Sequence, residues 1–153
     1  MSGTASQTVI LQFTVLTPIS SFSYSQSSYI LSKDDSFSID PSVNGDQLSF
    51  SIIDGSLPIG LYLNSSNGTI YGIPIQSISS QLVTIKAFNE VSDQSFTISF
   101  TILTPISSFV YPLSSYIISA DYSFSIDPSV NGDQLSFSII DGSLPIGLYL
   151  NSS

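Results

Sequence analysis

Apolar and polar residues alternate one by one along much of this chain. From Phe96 to Ile102 every second residue is apolar, and the residues between them are serine or threonine. A similar alternation runs through Val9–Val15 and Val83–Ala87. This period of two predicts strands with one buried and one solvated face, as in antiparallel sheets, and no stretch has the period of a helix.

Turn-forming residues divide the chain into short runs. Asn67-Gly68 predicts a tight hairpin with positive φ at both residues, and Gly72 predicts a bulge within a strand. Asn44-Gly45-Asp46 and Asp54-Gly55-Ser56 predict further turns. Between residues 16 and 103 this punctuation predicts about seven strands, near Phe22–Tyr29, Ser36–Asp40, Gln47–Ile53, Leu61–Asn64, Thr69–Pro74, Gln81–Phe88 and Gln94–Leu103.

The sequence also repeats itself with a fixed period. Ser36–Ser66 recurs unchanged as Ser123–Ser153, so equivalent residues lie 87 positions apart. A period of domain size indicates tandem modules. We therefore predict three parts: residues 1–15 as the last strand of a preceding module, residues 16–102 as a complete Ig-like module, and residues 103–153 as the first part of a second, incomplete module.

Short strands without helices are typical of a sandwich of two β-sheets. The predicted fold is all-β, with tandem Ig-like (cadherin-like) antiparallel β-sandwich modules in an 87-residue repeat. The chain has no Cys and no Trp, so the Cys–Trp–Cys core of antibody domains is absent. The likeness to immunoglobulins from this pattern is therefore one of architecture.

Four segments together resemble the putative-immunoglobulin (He_PIG) repeat, which is close to the dystroglycan-type cadherin-like domain. They read LPIGLYL at Leu57–Leu63, NGTIYGIP at Asn67–Pro74, VTIKAFN at Val83–Asn89 and FTISFTI at Phe96–Ile102. The resemblance implies an extracellular Ig-like sandwich that is used in tandem on cell-surface and secreted proteins. It implies no particular ligand or reaction. We interpret Gly60 and Gly72 within these segments as fold determinants that permit unusual backbone angles or close approaches.

Charge excludes several classes of partner. The formal net charge is −9, and Lys33 and Lys86 are the only basic residues. We therefore expect neither nucleic acid nor anionic lipid as a partner. No apolar run reaches the roughly 20 residues that span a bilayer, so we expect no membrane insertion in this segment. The first residues lack the features of a signal peptide.

The residues of common catalytic sites are missing, so we expect that the chain is not an enzyme. It contains no His and no Cys, and no serine lies in a G-x-S-x-G elbow. Asp34-Asp35 is the one adjacent pair of carboxylates, and Tyr122 stands at the position of Asp35 one period later. A paired-carboxylate site would not be repeated.

Two kinds of surface site remain as candidates. Asp40, Asp46, Glu90 and Asp93 could bind calcium between modules, although no D-x-D-x-D-G loop is present and turn capping explains such aspartates equally. Apart from calcium, we expect no cofactor. Asn64, Asn67 and Asn151 begin glycosylation sequons, and Asn67 has its hairpin role as the alternative.

These observations predict a structural or adhesive extracellular protein whose tandem Ig-like repeats form a cell-surface stalk or filament, with identical modules as partners. The alternative is a ligand-binding surface module of an adhesin, with Tyr62, Tyr71 or Phe88 contacting carbohydrate. For residues 103–153, one hypothesis is a segment cut from a longer array. The other is completion by a neighbouring chain, with Val9–Val15 donated in β-augmentation. We favour the first, because one donated strand does not replace three.

Overall fold

A computed structural model describes residues 7–153, and it is all-β over this range. The strands are β1 Ser21–Ser23, β2 Ser28–Ser32, β3 Phe37–Ile39, β4 Ser42–Asn44, β5 Ser49–Gly55, β6 Leu61–Leu63, β7 Ile70–Gly72, β8 Ile78–Phe88, β9 Asp93–Leu103, β10 Ser108–Val110 and β11 Ser129–Asn131. Nine of them lie in the first copy of the repeat (residues 16–103) and two in the second copy (residues 104–153). The predicted all-β class is confirmed.

The first copy is a β-sandwich. One sheet has the strand order β2-β9-β8-β5 and the other β3-β7-β6, while β1 and β4 form a separate pair. Side chains from all three sheets belong to one buried apolar cluster. The short strands are thus held by a shared core, which an isolated pair of strands does not possess.

The two long strands β8 and β9 supply the centre of this core. Their alternate side chains are at most 1% exposed: Val83, Ile85 and Ala87 on β8, and Ile98, Phe100 and Ile102 on β9. These are the faces that the period of two predicts. Burying one large apolar side chain of this kind stabilises a fold by roughly 1.5–3 kcal/mol.

The sandwich is not purely antiparallel, which corrects one prediction. Strand β2 pairs with β9 in parallel, with Tyr29 opposite Phe100. The strand predicted over Phe22–Tyr29 is also divided, because β1 pairs with β4 whereas β2 crosses to the other sheet. Alternation along one strand reports its two faces but carries no information on the direction of its partner.

Buried hydroxyl groups hold the crossing between β1 and β2. The hydroxyl of Tyr24 donates to the carbonyl of Gly68 at 2.6 Å, and the hydroxyl of Tyr29 accepts the N–H of Gln26 at 3.0 Å. Burial raises the pKa of Tyr24 well above its usual range, and the neighbouring Tyr29 raises it further. Tyr24 is therefore a neutral donor at ordinary pH.

Two local predictions are wrong, each for a physical reason. The irregularity predicted at Gly72 lies instead between Ile52 and Asp54, and it leaves Ile52 38% exposed. Gly72 keeps regular pairing with both neighbouring strands. Its lack of a side chain permits a close approach, because a Cβ at Gly72 would lie 2.1 Å from the carbonyl oxygen of Gly60. The close-approach role expected of Gly60 and Gly72 is thus confirmed.

The hairpin predicted at Asn67-Gly68 is a longer connection. Only Gly68 has a positive φ, at 77°. The N–H of Gly68 donates to the carbonyl of Asn64, and the N–H of Asn64 donates to the carbonyl of Thr69. The loop therefore closes over six residues, Asn64–Thr69. The sequence also gave no sign of β4, which immediately precedes the predicted turn at Gly45.

In the second copy, one pair of strands forms within residues 104–153. Strand β10 pairs with β11 in the same register in which β1 pairs with β4, so Phe109 lies opposite Val130. Residues 7–20 have no regular secondary structure, and the predicted strand Val9–Val15 has no partner within one copy of the chain. Residues 1–6 of the predicted preceding module lie outside the described part. The division into tandem modules stays a prediction.

Candidate functional site at the start of each repeat copy

A pair of hydrogen bonds fastens the start of the first copy to the turn after β4. The N–H of Thr17 donates to Oδ2 of Asp46 at 2.9 Å, and the N–H of Asp46 donates to the carbonyl of Thr17 at 3.3 Å. We call this pair of residues the Thr–Asp clasp. It fixes the direction in which the chain enters the sandwich.

The loop between β8 and β9 reinforces the clasp through Asn89. Its Nδ2 donates to the carbonyls of Thr17 and Asp46, at 3.0 and 2.9 Å. Its Oδ1 accepts the N–H of Ser92 at 2.9 Å, and Oγ of Ser92 accepts the N–H of Ile19 at 2.6 Å. Asn89 thus connects three segments that are distant in sequence. Sequence reasoning placed it at a strand end and missed this role, since no local pattern signals it.

The clasp recurs one period later. The N–H of Thr104 donates to Oδ2 of Asp133 at 2.7 Å, and the N–H of Asp133 donates to the carbonyl of Thr104 at 3.0 Å. Thr104 directly follows the last residue of β9, Leu103. A cavity of about 280 Å³ at this point is lined by Ile102 and Leu103 from the first copy and by Asp133 and Gln134 from the second. The second copy therefore begins with no spacer.

Electrostatics favour the ionised clasp. Hydrogen bonds from the side chain and backbone of Thr17 lower the pKa of Asp46 from its ordinary value. The backbone and side chain of Thr104 lower the pKa of Asp133 in the same way. A carboxylate that accepts N–H and O–H donors is stabilised in its charged form. Both clasps are consequently anionic acceptors at neutral pH.

The structure spreads the four calcium candidates over different local roles. Oδ1 of Asp40 accepts the hydroxyl of Thr69 at 2.7 Å, and Asp46 belongs to the clasp. Glu90 lies in the loop between β8 and β9, and Asp93 begins β9. Within residues 7–153 no three His, Cys, Asp or Glu side chains come together in a group that could hold a metal. The two hydrogen-bonded aspartates fit the turn-capping alternative.

Two of the three aromatic candidates for carbohydrate binding lie side by side. Tyr62 on β6 and Tyr71 on β7 are cross-strand neighbours, with ring centroids 6.0 Å apart. They are 59% and 45% exposed. Phe88 lies on the other sheet, where Nζ of Lys86 sits 4.9 Å from its ring centroid. The structure therefore brings Tyr62 and Tyr71 together and leaves Phe88 separate.

A family model described as a putative Ig domain matches residues 7–105. The chain belongs to this family. The resemblance read from the four sequence segments is thereby confirmed. No curated protein matches the chain as a relative.

Solved structures resemble this Ig domain chain at low sequence identity. A putative alpha-galactosidase from Bacteroides fragilis is 24% identical, with a TM-score of 0.45, over 53% of this chain and 17% of that one. Human protocadherin-24 EC1-2 is 10% identical, with a TM-score of 0.45, over 72% and 60% of the two chains. The protocadherin GammaB4 extracellular domain is 12% identical, with a TM-score of 0.47, over 81% and 26%. The matched region thus spans about a sixth of the galactosidase chain.

The glycosylation candidates of the Ig domain chain differ in exposure. Asn67 and Asn151 are exposed, whereas Asn64 is half-buried. Each side-chain oxygen accepts a backbone N–H two residues later, with Asn67 bonded to Thr69 at 3.0 Å. Glycosylation stays a prediction for all three. As a separate finding, residues 7–153 contain no helix long and apolar enough to cross a membrane.

Proposed function

We propose that this Ig domain chain is part of an extracellular structural or adhesive protein, in which modules follow one another every 87 residues as a cell-surface stalk or filament. One observation carries the proposal: the Thr–Asp clasp of Thr17 and Asp46 recurs as Thr104 and Asp133 directly after β9. Each copy would thus start where the preceding copy ends.

A junction without a spacer suits a mechanical role. Flexible linkers decouple neighbouring domains, whereas a clasp on the first residues of a module limits their relative motion. In a linear array of this kind, stability is approximately the sum of the stabilities of modules and junctions. Load would pass through β9, whose end at Leu103 leads straight into the next clasp at Thr104.

The remaining features of the proposal concern chemistry and partners. We propose no catalytic activity, because the chain has neither His nor Cys. Its partners are identical modules, with glycans attached at exposed asparagines such as Asn67. The net charge of −9 supports the exclusion of nucleic acid.

Electron microscopy of the native material, labelled with an antibody against this chain, tests the proposal. Regular stalks or filaments outside the cell, with a repeat along the axis, are the expected result. Label inside the cell, or on dispersed molecules without axial order, would contradict it.

A second candidate function is carbohydrate binding by a surface module, which the exposed pair Tyr62 and Tyr71 favours. Aromatic rings stacked on sugar faces bury large areas at small entropic cost. Screening on a glycan array tests this candidate, with Tyr62→Ala expected to abolish any binding. Tyr122→Ala is the matched control, because Tyr122 is also exposed but lies in the second copy. Equal binding by both variants would reject this function.

A further inference from the structure

The second copy presents an open apolar groove. In the described structure its lining includes six side chains that correspond to buried or half-buried positions of the first copy: Phe109, Tyr111, Tyr116, Phe124, Phe137 and Leu148. The volume of this groove is about 1240 Å³. We call it the second-copy groove. An apolar surface of this size is typical of an interaction site.

The groove already has the geometry of the first-copy core. The rings of Tyr116 and Phe124 lie 5.5 Å apart, and their counterparts Tyr29 and Phe37 also lie 5.5 Å apart. Both pairs meet edge to face, at 64° and 65°. An occupant would therefore meet a preorganised surface, which lowers the entropic cost of binding.

The first copy identifies what packs on this surface. The ring of Phe100 on β9 lies 5.8 Å from that of Tyr29 and 6.1 Å from that of Phe37. Phe100 is fully buried. Strand β9 also pairs with β2 in parallel along Ser28–Ser32. The complementary element is consequently a β9-like strand with an aromatic side chain at the position of Phe100.

The chain carries a second segment with this pattern. Gln7–Leu16 lies one period before β9, so Phe13 stands at the position of Phe100 and Leu11 at that of Ile98. The segment forms no strand within one copy of the chain. Its apolar residues are 71–92% exposed, namely Val9, Leu11, Phe13 and Val15.

We propose that Gln7–Leu16 of one copy of this chain inserts into the second-copy groove of another. The inserted strand lies parallel to Ser115–Ser119, with Phe13 opposite Tyr116, as Phe100 lies opposite Tyr29. Strand addition to an open sheet edge supplies main-chain hydrogen bonds, and the alternate side chains supply specificity.

The two surfaces of this contact lie at opposite ends of the sequence. Such a head-to-tail contact does not close on itself and builds a filament. The inference rests on the proposed function, because it takes the second copy as a module of the same kind. It adds a non-covalent link between chains to the covalent link between copies.

Sedimentation of the 153-residue chain over a range of concentrations tests the insertion with two matched variants. Phe13 and Ile10 are equally exposed, at 86% and 87%, but Ile10 stands at the position of Thr97, on the other face of the strand. We expect Phe13→Ser to weaken association about tenfold or more, since it removes one buried aromatic side chain. We expect Ile10→Ser to change association by less than about threefold.

Disulfide cross-linking tests the register. In the first copy Ile30 lies opposite Thr101, which places Thr14 of one chain opposite Ile117 of the other. The chain has no cysteine of its own. Mixed Thr14→Cys and Ile117→Cys chains are expected to form an intermolecular disulfide. Thr8→Cys replaces Thr14→Cys in the control, because Thr8 lies on the same face six residues out of register, and we expect no cross-link.

Three results would overturn the insertion: a monomer at every concentration up to about 100 μM, equal weakening by Phe13→Ser and Ile10→Ser, or equal cross-linking from Thr8→Cys and Thr14→Cys. Unchanged thermal unfolding of both serine variants shows that the first copy remains folded. A monomeric chain leaves the proposed stalk intact, since copies joined in one polypeptide need no insertion. Intracellular label in the microscopy would instead refute the stalk alone.

Discussion

Replacing Gly60 by alanine is expected to disrupt the first copy. A Cβ at Gly60 would lie 2.0 Å from the carbonyl oxygen of Ile73 and 3.0 Å from its carbonyl carbon. Real Cβ atoms essentially never come closer than 3.0 Å to such atoms, so the two backbones must separate by about 1 Å. The positive φ of Gly60, at 96°, is a further strain for alanine.

The size of this effect follows from the bonds at the site. The N–H of Ile73 donates to the carbonyl of Gly60 at 3.0 Å, and the N–H of Ile75 donates to the carbonyl of Ile59 at 3.1 Å. Losing both costs about 2 kcal/mol, and the strained backbone costs about 2 kcal/mol more. We therefore expect Gly60→Ala to lower the free energy of unfolding by about 4 kcal/mol. The midpoint of thermal unfolding should fall by roughly 16 °C or more.

Gly147 provides the matched control, because it is the counterpart of Gly60 in the second copy. Its φ is 92°, but a Cβ there would meet no atom within 4 Å. Circular dichroism during urea and thermal unfolding measures both variants. We expect Gly147→Ala to change the unfolding of the first copy by less than about 0.5 kcal/mol. Similar losses in the two variants would refute the close approach of β6 and β7 as the reason for glycine.

Three further predictions concern side-chain hydrogen bonds. Because the pKa of Asp46 is lowered in the folded chain, its contribution is present at neutral pH and is lost as the pH falls below about 4; Asp46→Asn should therefore flatten the acid side of a plot of unfolding midpoint against pH, and an unchanged slope would contradict the clasp. Because the pKa of Tyr24 is raised, stability should fall as the pH rises above about 10, and Tyr24→Phe should remove this fall while costing about 1–2 kcal/mol at neutral pH through the lost bond to Gly68. Asn89→Ala removes both donors to Thr17 and Asp46, so denaturation should show a loss of about 1–2 kcal/mol, whereas a loss below about 0.3 kcal/mol would show that Asn89 does not hold the clasp.

Sequence patterns predicted the fold where one local rule dominates. In β8 and β9 the alternation identified the buried faces correctly, because each strand is long and has one face in the core. The same reasoning failed at Ile52, where a register shift turns the side chain outward. It also missed the parallel pairing of β2 with β9, because a strand's own pattern is the same for either direction of its partner.

The candidate site was less accessible from the sequence. Asp46 was identified as a candidate, and the repeat marked Asp133 as its counterpart. The contributions of Asn89 and Thr17 depend on contacts across 72 positions of sequence, and no periodicity or turn motif reports such contacts. The exposed pair Tyr62 and Tyr71 was predicted as candidate residues, but their proximity follows from the register of β6 with β7.

Hydrogen exchange at single amides of the dilute chain tests the central claim most directly. Phe100 and Phe13 occupy equivalent positions of the repeat, but Phe100 lies in the sealed core of the first copy, whereas Phe13 is exposed. The account predicts that the amide of Phe100 exchanges only on unfolding of the sandwich, while that of Phe13 exchanges as fast as an unstructured peptide. Equal rates at the two amides would contradict it.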